Sequence, residues 1–303
     1  MDIHSQKLRI IIPVVFIFVL ISGCSPKTEK ATPTLILTST PIVAATPNVT
    51  ATVLPLAVVI NGDGILLSEY ESELSRIRTA NEGLNQPLPD DVLETRVLDE
   101  LIGQTLLAQA AYQNGFNLTQ EELVSSLNGI IQSAGGDEVF RNWMEKNGYN
   151  NESIKPALVR QLAAAWQRDQ LTDQFPDTAP QVHARQILLY DLATAQDVYK
   201  RLQAGTDFDS LAKLYDPLTG GELGWFPKGY MTQPIVEQAA FILSEGQYSE
   251  IIESEIGFHI IQVIERQEDR PLTGDARNIL IQSKIDSWVA EQRNKATIEL
   301  SLP

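Results

Sequence analysis

The stretch Gly220-Gly221-Glu222-Leu223-Gly224-Trp225-Phe226, followed by Lys228-Gly229-Tyr230-Met231, combines closely spaced glycines with large apolar side chains. Glycine permits backbone angles and close approaches that a side chain would block. A flexible polar loop has no need of Leu, Trp, Phe and Met. We therefore interpret the stretch as a tight turn that holds apolar groups around a concavity, as in an apolar ligand site. The alternative is a hairpin corner whose aromatic side chains fill the core, and the segment alone favours that alternative.

Short strands and helices on both sides of this stretch predict a compact α+β unit. Strand patterns occur at residues 182–190, 248–252 and 258–264, and helices are expected at 194–204, 207–214 and 234–241. Thr194 and Asp207 are the expected caps of the first two helices. The strand at 258–264 is apolar on both faces, so it should be central in its sheet.

The chain before this unit is predicted to be mostly helical. A short β-branched strand at 57–61 ends at the turn signal Gly62-Asp63-Gly64, and helices follow at 68–80, 91–114, from 119, at 137–147 and at 152–173. Ser68 with Glu71, and Thr119 with Glu122, match the capping-box pattern. Phe140, Trp143, Met144 and Trp166 fit either a groove for peptides or an ordinary packing stripe, and the packing stripe is the commoner case.

The chain ends with an amphipathic helix at 275–294 and a strand at 296–300. That strand and the strand at 57–61 each lack a neighbouring partner, so we expect them to pair. The expected architecture is an α+β unit at 181–268 inserted into a helical domain made of residues 56–178 and 272–303, with a proline-flanked boundary near Pro176 and Pro180.

The N-terminus has the pattern of an export signal with a lipid anchor. A twelve-residue apolar run at 10–21 follows Lys7 and Arg9 and is too short to span a bilayer. The sequence around Cys24 resembles the bacterial lipobox, which predicts a signal peptide at 1–23 and acylation of Cys24. Residues 24–55 are then a lipidated Cys and a Thr- and Pro-rich linker.

Composition excludes several functional classes. The formal charge is -16, from 23 basic and 39 acidic residues, and such a body repels the phosphates of nucleic acid. The single cysteine excludes an intramolecular disulfide. With three histidines and one cysteine we expect no dedicated metal site, and no cofactor is expected either. A Ser/His/Asp hydrolase is disfavoured because no nucleophile elbow is present.

Several ordered blocks resemble the parvulin-type peptidyl-prolyl cis-trans isomerases. These blocks are Ala184-Arg185-Gln186-Ile187-Leu188, Asp207 to Ala212, Gly220 to Phe226, Met231, Ala239-Ala240-Phe241 and Gly257-Phe258-His259-Ile260-Ile261. The helices, the strand start and the lipobox make the whole chain similar to extracytoplasmic foldases of the PrsA and SurA kind. The resemblance implies a four-stranded parvulin sheet within a SurA-like helical domain.

The resemblance also implies a site. Leu223, Phe226 and Met231 would line a proline pocket, with Ile235 where the family often has Phe. His259 matches the family's last-strand histidine, Gln186 takes the place of its other histidine, and Asp216 best fits its Asp or Cys. The list of implied site residues is then catalytic His259, Gln186 and Asp216, with substrate-binding Leu223, Phe226, Met231 and Ile235.

Two functions remain in competition on these residues. The first is a foldase, tethered to the bacterial cell membrane outside the cytoplasm, that isomerises X-Pro bonds in unfolded or partly folded exported polypeptides. The second is a holdase chaperone whose parvulin-like unit only binds proline segments. Gln186, Ile235 and the short loop from Asp216 to Gly220 keep this alternative open. Acceleration of X-Pro isomerisation separates the two.

Overall fold

The computed structural model describes residues 54–150 and 153–302, so the predicted signal peptide, Cys24 and nearly all of the linker lie outside the described residues. The first part of the chain comprises β1 (Leu56–Ile60), β2 (Asp63–Leu66), α1 (Leu67–Glu82), α2 (Asp90–Gln113), α3 (Gln120–Ser133), α4 (Asp137–Lys146) and α5 (Ile154–Asp173). Next come β3 (Thr178–Leu189), α6 (Leu192–Gln203), α7 (Phe208–Tyr215), β4 (Glu222–Pro227), α8 (Pro234–Ile242), β5 (Ile252–Ser254) and β6 (Gly257–Pro271). The chain closes with α9 (Gly274–Lys295) and β7 (Ile298–Leu300).

The two chain ends share one antiparallel sheet, in the order β2-β1-β7, which confirms the predicted pairing of the terminal strands. Val58 lies opposite Leu300, and the backbone N–H of Asn61 donates to the carbonyl of Thr297 at 2.9 Å. Strand β2 was not predicted. Asn61 and Gly62 have φ of 50° and 94°, as in a two-residue hairpin turn, so the chain doubles back at once and Asp63 already pairs with Ile60.

The helices pack around this sheet and around one another. α1 and α2 cover β1, and α2 also packs on α5 and α9. The capping box at Thr119 and Glu122 is confirmed, with Thr119 N–H donating to the Glu122 carboxylate at 2.8 Å. The box at Ser68 is wrong, because α1 begins one residue earlier and its N-cap, Leu66, makes no side-chain cap bond. Phe140 is buried in a packing cluster rather than lining a groove.

The second sheet is antiparallel, in the order β4-β3-β6-β5, and carries α6 and α7 on one face and α8 on the other. β6 is central, as predicted. The glycine-rich stretch, expected to be a turn, forms the edge strand β4 from Glu222 onward. β5 lies later than predicted, because Tyr248 makes only an isolated bridge to Gln262. α6 is capped by Asp191, whose carboxylate accepts from the Thr194 N–H, and not by Thr194 itself.

No helix among residues 54–150 and 153–302 is both long and apolar enough to cross a bilayer.

Candidate functional site

A buried histidine on β6 lies at the centre of the candidate site. His259 is 1% exposed, and its two ring nitrogens lie 2.8 Å from Gln186 Oε1 and 2.7 Å from Ser254 Oγ. Burial lowers the pKa of His259 below its ordinary value, since the charged imidazolium loses its hydration. The imidazole is therefore neutral at neutral pH.

The partners of a neutral imidazole fix which nitrogen carries the proton. The amide oxygen of Gln186 can only accept, so the proton lies on Nδ1 of His259, and Nε2 accepts from the hydroxyl of Ser254. The Gln186 amide nitrogen has no hydrogen-bond partner among the described residues. Its two N–H groups thus remain available to a ligand. Ser254 was missed by the sequence analysis, although it stands five residues before His259 across the β5–β6 turn.

Strand alternation puts these polar groups beside an apolar cluster under α8. Its buried members are Val182, Ala184, Phe226, Val236, Ala240, Ile261 and Val263. Gln186 on β3 lies opposite Ile261, and His259 lies opposite Ile252 on β5. Residues directly opposite in an antiparallel pair point to the same face of the sheet. Ile261 and Ile252 both belong to the apolar cluster under α8, so the hydrogen-bonded pair borders that cluster.

The apolar cluster contains most of the predicted proline-binding residues. Phe226 is 1% exposed, with its ring edge-on to Phe241 at a centroid distance of 6.2 Å. Leu223 and Met231 are partly buried against the same cluster and keep some surface accessible. Phe226 therefore lies beneath the surface, whereas Leu223 and Met231 lie at the surface.

Ile235 is not brought into this cluster. It is 51% exposed on the first turn of α8, whereas its neighbour Val236 is fully buried in the cluster. Val236 and Ala240 are four residues apart and so share the core-facing side of the helix. That spacing in the sequence is a signal that could have selected Val236 instead.

Asp216 ends α7 and organises the turn into the glycine-rich segment. Its carboxylate accepts from the N–H groups of Leu218 and Thr219 at 3.1 Å, from Gly221 N–H at 3.3 Å and from the Thr219 hydroxyl. These hydrogen bonds, led by the one from Thr219, hold the pKa of Asp216 below its ordinary value. Among the described residues, none of its hydrogen bonds goes to His259 or Gln186.

Gly221 joins this turn to β3. Its carbonyl accepts from the Gln186 N–H at 2.8 Å, and its φ is +72°. A Cβ at this position would lie 1.9 Å from the Gln186 carbonyl oxygen, so only glycine fits. The glycine-rich segment is therefore held against the strand that carries Gln186.

Trp225 and His183 lie together away from the histidine–glutamine pair. The His183 ring stacks on Trp225 at 5.3 Å, with its Nε2 2.6 Å from Glu222 Oε1, and the Arg270 guanidinium lies 4.1 Å above the indole. His183 lies between Val182 and Ala184, which face the apolar cluster, and successive strand residues alternate in direction, so His183 and Trp225 lie on the opposite face of the sheet.

Two stretches of the chain match known domain families. Residues 191–265 match the PPIC-type PPIASE domain, or rotamase. Residues 54–167 match the SurA N-terminal domain. The first match includes β4, α8, β5 and His259, and the second covers β1, β2 and most of the helices that precede β3.

Several proteins of known name are similar to this chain. The foldase protein PrsA of Caldanaerobacter subterraneus is 27% identical over 321 residues, which cover 94% of each chain. The chaperone SurA of Nitrosococcus oceani is 28% identical over 269 residues, or 75% of this chain and 63% of that protein. The solution structure of the parvulin of Nitrosopumilus maritimus is 34% identical and covers 29% of this chain and 98% of that one, with a TM-score of 0.26.

Proposed function

We propose that this chain is a membrane-tethered peptidyl-prolyl isomerase and foldase acting on exported polypeptides, because residues 191–265 match the PPIC-type PPIASE domain and residues 54–167 match the SurA N-terminal domain. The observation that carries the proposal is the neutral His259–Gln186 pair at the border of the apolar cluster. The reaction is rotation about an X-Pro bond, which needs no bond cleavage and no cofactor.

The barrier to that rotation is about 18–20 kcal/mol, because amide resonance must be broken. A site lowers the barrier by binding the twisted amide better than either planar form, and about 1.4 kcal/mol of such preference gives tenfold in rate. In our proposal the proline ring sits against Leu223 and Met231 on the support of Phe226. The hydrogen-bond donors beside it then act on the amide.

We assign the donor role to Gln186. His259 holds the glutamine oxygen, so the glutamine N–H groups point away from the imidazole and can donate to a substrate carbonyl whose double-bond character changes on twisting. His259 acts through Gln186: its Nδ1–H holds the glutamine oxygen in place, and the Ser254 hydroxyl, which donates to Nε2, fixes the imidazole tautomer. Asp216 contributes by holding the turn that ends at Gly221.

A protease-coupled assay on a proline peptide tests this assignment. The wild-type chain is expected to accelerate isomerisation above the buffer rate, and Gln186→Leu should lower kcat/KM by about tenfold, the value of one lost hydrogen bond. Gln262→Leu is the matched control, since Gln262 neighbours Ile261 on β6 and its side chain bonds Arg185 instead. Equal losses in both variants would remove Gln186 from the site. A folded wild type that suppresses aggregation without exceeding the buffer rate would support the holdase function instead.

The helical part offers a place for an unfolded client. A groove of about 730 Å³ runs between α2, α5 and α9, with Leu107, Ile285 and Val289 among its lining residues. Arg293 and Asp99 pair at 2.5 Å at the same groove. Apolar lining with charged groups of both signs suits extended polypeptide of mixed composition. Val92 also lines the groove and is 43% exposed, so Val92→Asp should weaken aggregation suppression and leave proline-peptide turnover unchanged.

Tethering rests on the lipobox pattern at Cys24. Burial of acyl chains would hold the protein on the outer surface of the cell membrane. The 31 residues from 25 to 55 could reach about 100 Å when extended. We expect Cys24→Ser to release the protein from the membrane fraction, whereas Ser22→Ala should not; retention of Cys24→Ser in that fraction would contradict lipidation.

A further inference from the structure

A buried carboxylate lies next to the apolar cluster, in the first turn of α8. Glu237, in the first turn of α8, is 6% exposed. Its Oε1 accepts from the Gly229 N–H at 2.7 Å, and its Oε2 accepts from the N–H groups of Tyr230 and Met231 at 2.9 and 3.0 Å. Three consecutive backbone donors therefore converge on one side chain.

Burial of a carboxylate is costly unless its charge is compensated. Within the described part of the chain, no Lys, Arg or His pairs with Glu237. The compensation comes from the three backbone N–H groups and from the positive end of the α8 dipole. Successive N–H groups that converge in this way form an anion-binding nest, and here the anion belongs to the protein itself.

The nest fixes the loop that carries Met231. Gly229 has a φ of +90°, which turns the chain so that the three N–H groups face α8. Met231 packs on the cluster that contains Val236 and Ala240 of the same helix. The carboxylate therefore ties the backbone of Met231 to the helix against which its side chain packs.

We propose that Glu237 is a positioning residue that holds the loop of residues 229–231, and through it Met231, in the conformation that receives the proline ring. This inference rests on the proposed proline-binding role of Met231. Loop 229–231 is tied down at the backbone, so the surface offered to the ring is formed before substrate arrives, which lowers the cost of binding.

The test measures kcat/KM for a proline peptide with the full chain and its Glu237→Gln variant. Glutamine keeps the shape but removes the charge and turns an N–H group toward backbone donors. We expect kcat/KM per folded molecule to fall by about tenfold or more, which corresponds to about 1.4 kcal/mol. The matched control is Glu122→Gln, since Glu122 also accepts a backbone N–H in the first turn of a helix but lies in α3. That variant should keep wild-type turnover.

A double-mutant cycle distinguishes positioning from a general contribution to stability. If Glu237 acts through Met231, then Glu237→Gln should cost much less in the Met231→Ala background than in the wild type. A purely structural role would lower the unfolding midpoint, leave kcat/KM per folded molecule unchanged and give additive effects. Additive effects, or wild-type kcat/KM in Glu237→Gln, would overturn the proposal.

The proposal remains testable if the Glu237→Gln variant does not fold, and also if the wild type shows no isomerase activity. If Glu237→Gln does not fold, Glu237→Asp decides by the same criteria, because it keeps the charge but shortens the reach to the three N–H groups. If the wild type itself does not exceed the buffer rate, the proposed isomerase function has failed. In that case binding of the proline peptide is measured by titration. Weaker binding in Glu237→Asp, comparable to the loss in Met231→Ala, supports the inference, and binding as strong as in the wild type overturns it.

Discussion

Acid should destabilise the parvulin-type unit through His259, and the size of the effect can be worked out. The pKa of the folded-state imidazole is lowered by burial, while the unfolded chain titrates near the ordinary value of 6.5. Below about pH 6.5 the unfolded chain therefore binds a proton that the folded chain does not. The free energy of unfolding then falls, by at most about 1.4 kcal/mol per pH unit, until the pH passes the lowered folded-state pKa and the loss ends. Above pH 6.5 this stabilisation is fully present.

The assay is urea unfolding at a series of pH values between 7.5 and about 5, for the wild type and His259→Gln. The variant keeps a neutral hydrogen-bonding side chain that cannot be protonated. The difference between the unfolding free energies of the wild type and the variant should narrow or reverse as the pH falls. Its change should approach about 1.4 kcal/mol per pH unit, the value for one proton bound on unfolding. Gln262→Leu is the control, because it removes a hydrogen-bonding side chain from the same strand but no histidine, and it should keep the wild-type slope. Parallel curves for wild type and His259→Gln would refute the reasoning.

Three further predictions concern the fold that holds the site. Gly221→Ala should destabilise the chain by more than the roughly 1–2 kcal/mol cost of positive φ alone, because the new Cβ meets the Gln186 carbonyl at 1.9 Å; an unchanged melting temperature would contradict this. Phe226→Ala should cost about 3–5 kcal/mol in urea unfolding, since the ring is 1% exposed, and a loss below about 1 kcal/mol would mean that the ring is not a core residue. Deletion of residues 298–303 should lower the unfolding midpoint, because β1 loses its partner β7, and retention of the wild-type midpoint would show that the chain-end pairing contributes little.

Patterns that recur along one element were readable from the sequence. Apolar residues on both faces of the strand at 258–264 placed β6 at the centre of its sheet, and the two unpartnered strands at 57–61 and 296–300 predicted their own pairing. The first inference used residues close together in one strand. The second used the fact that two strands had no other strand to pair with, so that they had to pair with each other. The order of blocks also gave the parvulin-type unit, because several motifs had to coincide.

The errors share a different cause. The turn signal was placed at Gly62-Asp63-Gly64, so the return strand β2, which already begins at Asp63, was missed. Ser68 has cap chemistry, yet the helix starts earlier because β2 leads directly into α1. The binding role of Ile235 stays a prediction: Ile235 is exposed whereas Val236 faces the cluster, and which of the two faces inward depends on the phase of α8 against the sheet. Local composition does not contain that tertiary information.

The site shows the same division. The resemblance to the parvulin family implied His259 and Gln186 together, and His259 Nδ1 lies 2.8 Å from Gln186 Oε1. Ser254 and Glu237 were not selected, because a serine in a turn and a glutamate at a helix start are common features of any surface. Their importance follows from burial and from what they bond, which only the three-dimensional arrangement reveals.

The joining of the two chain ends has a consequence for how the molecule is made. Thr297 N–H donates to Asn61 Oδ1, 236 residues earlier in the chain, so that contact can form only after all of the intervening residues have been synthesised. Until β7 is made, β1 has an unpaired edge that another extended chain could bind. The inserted four-stranded unit can already fold, because its strands come from one contiguous stretch of sequence. The four-stranded unit should therefore fold before the sheet β2-β1-β7 is complete, and the pairing of β7 with β1 should come last.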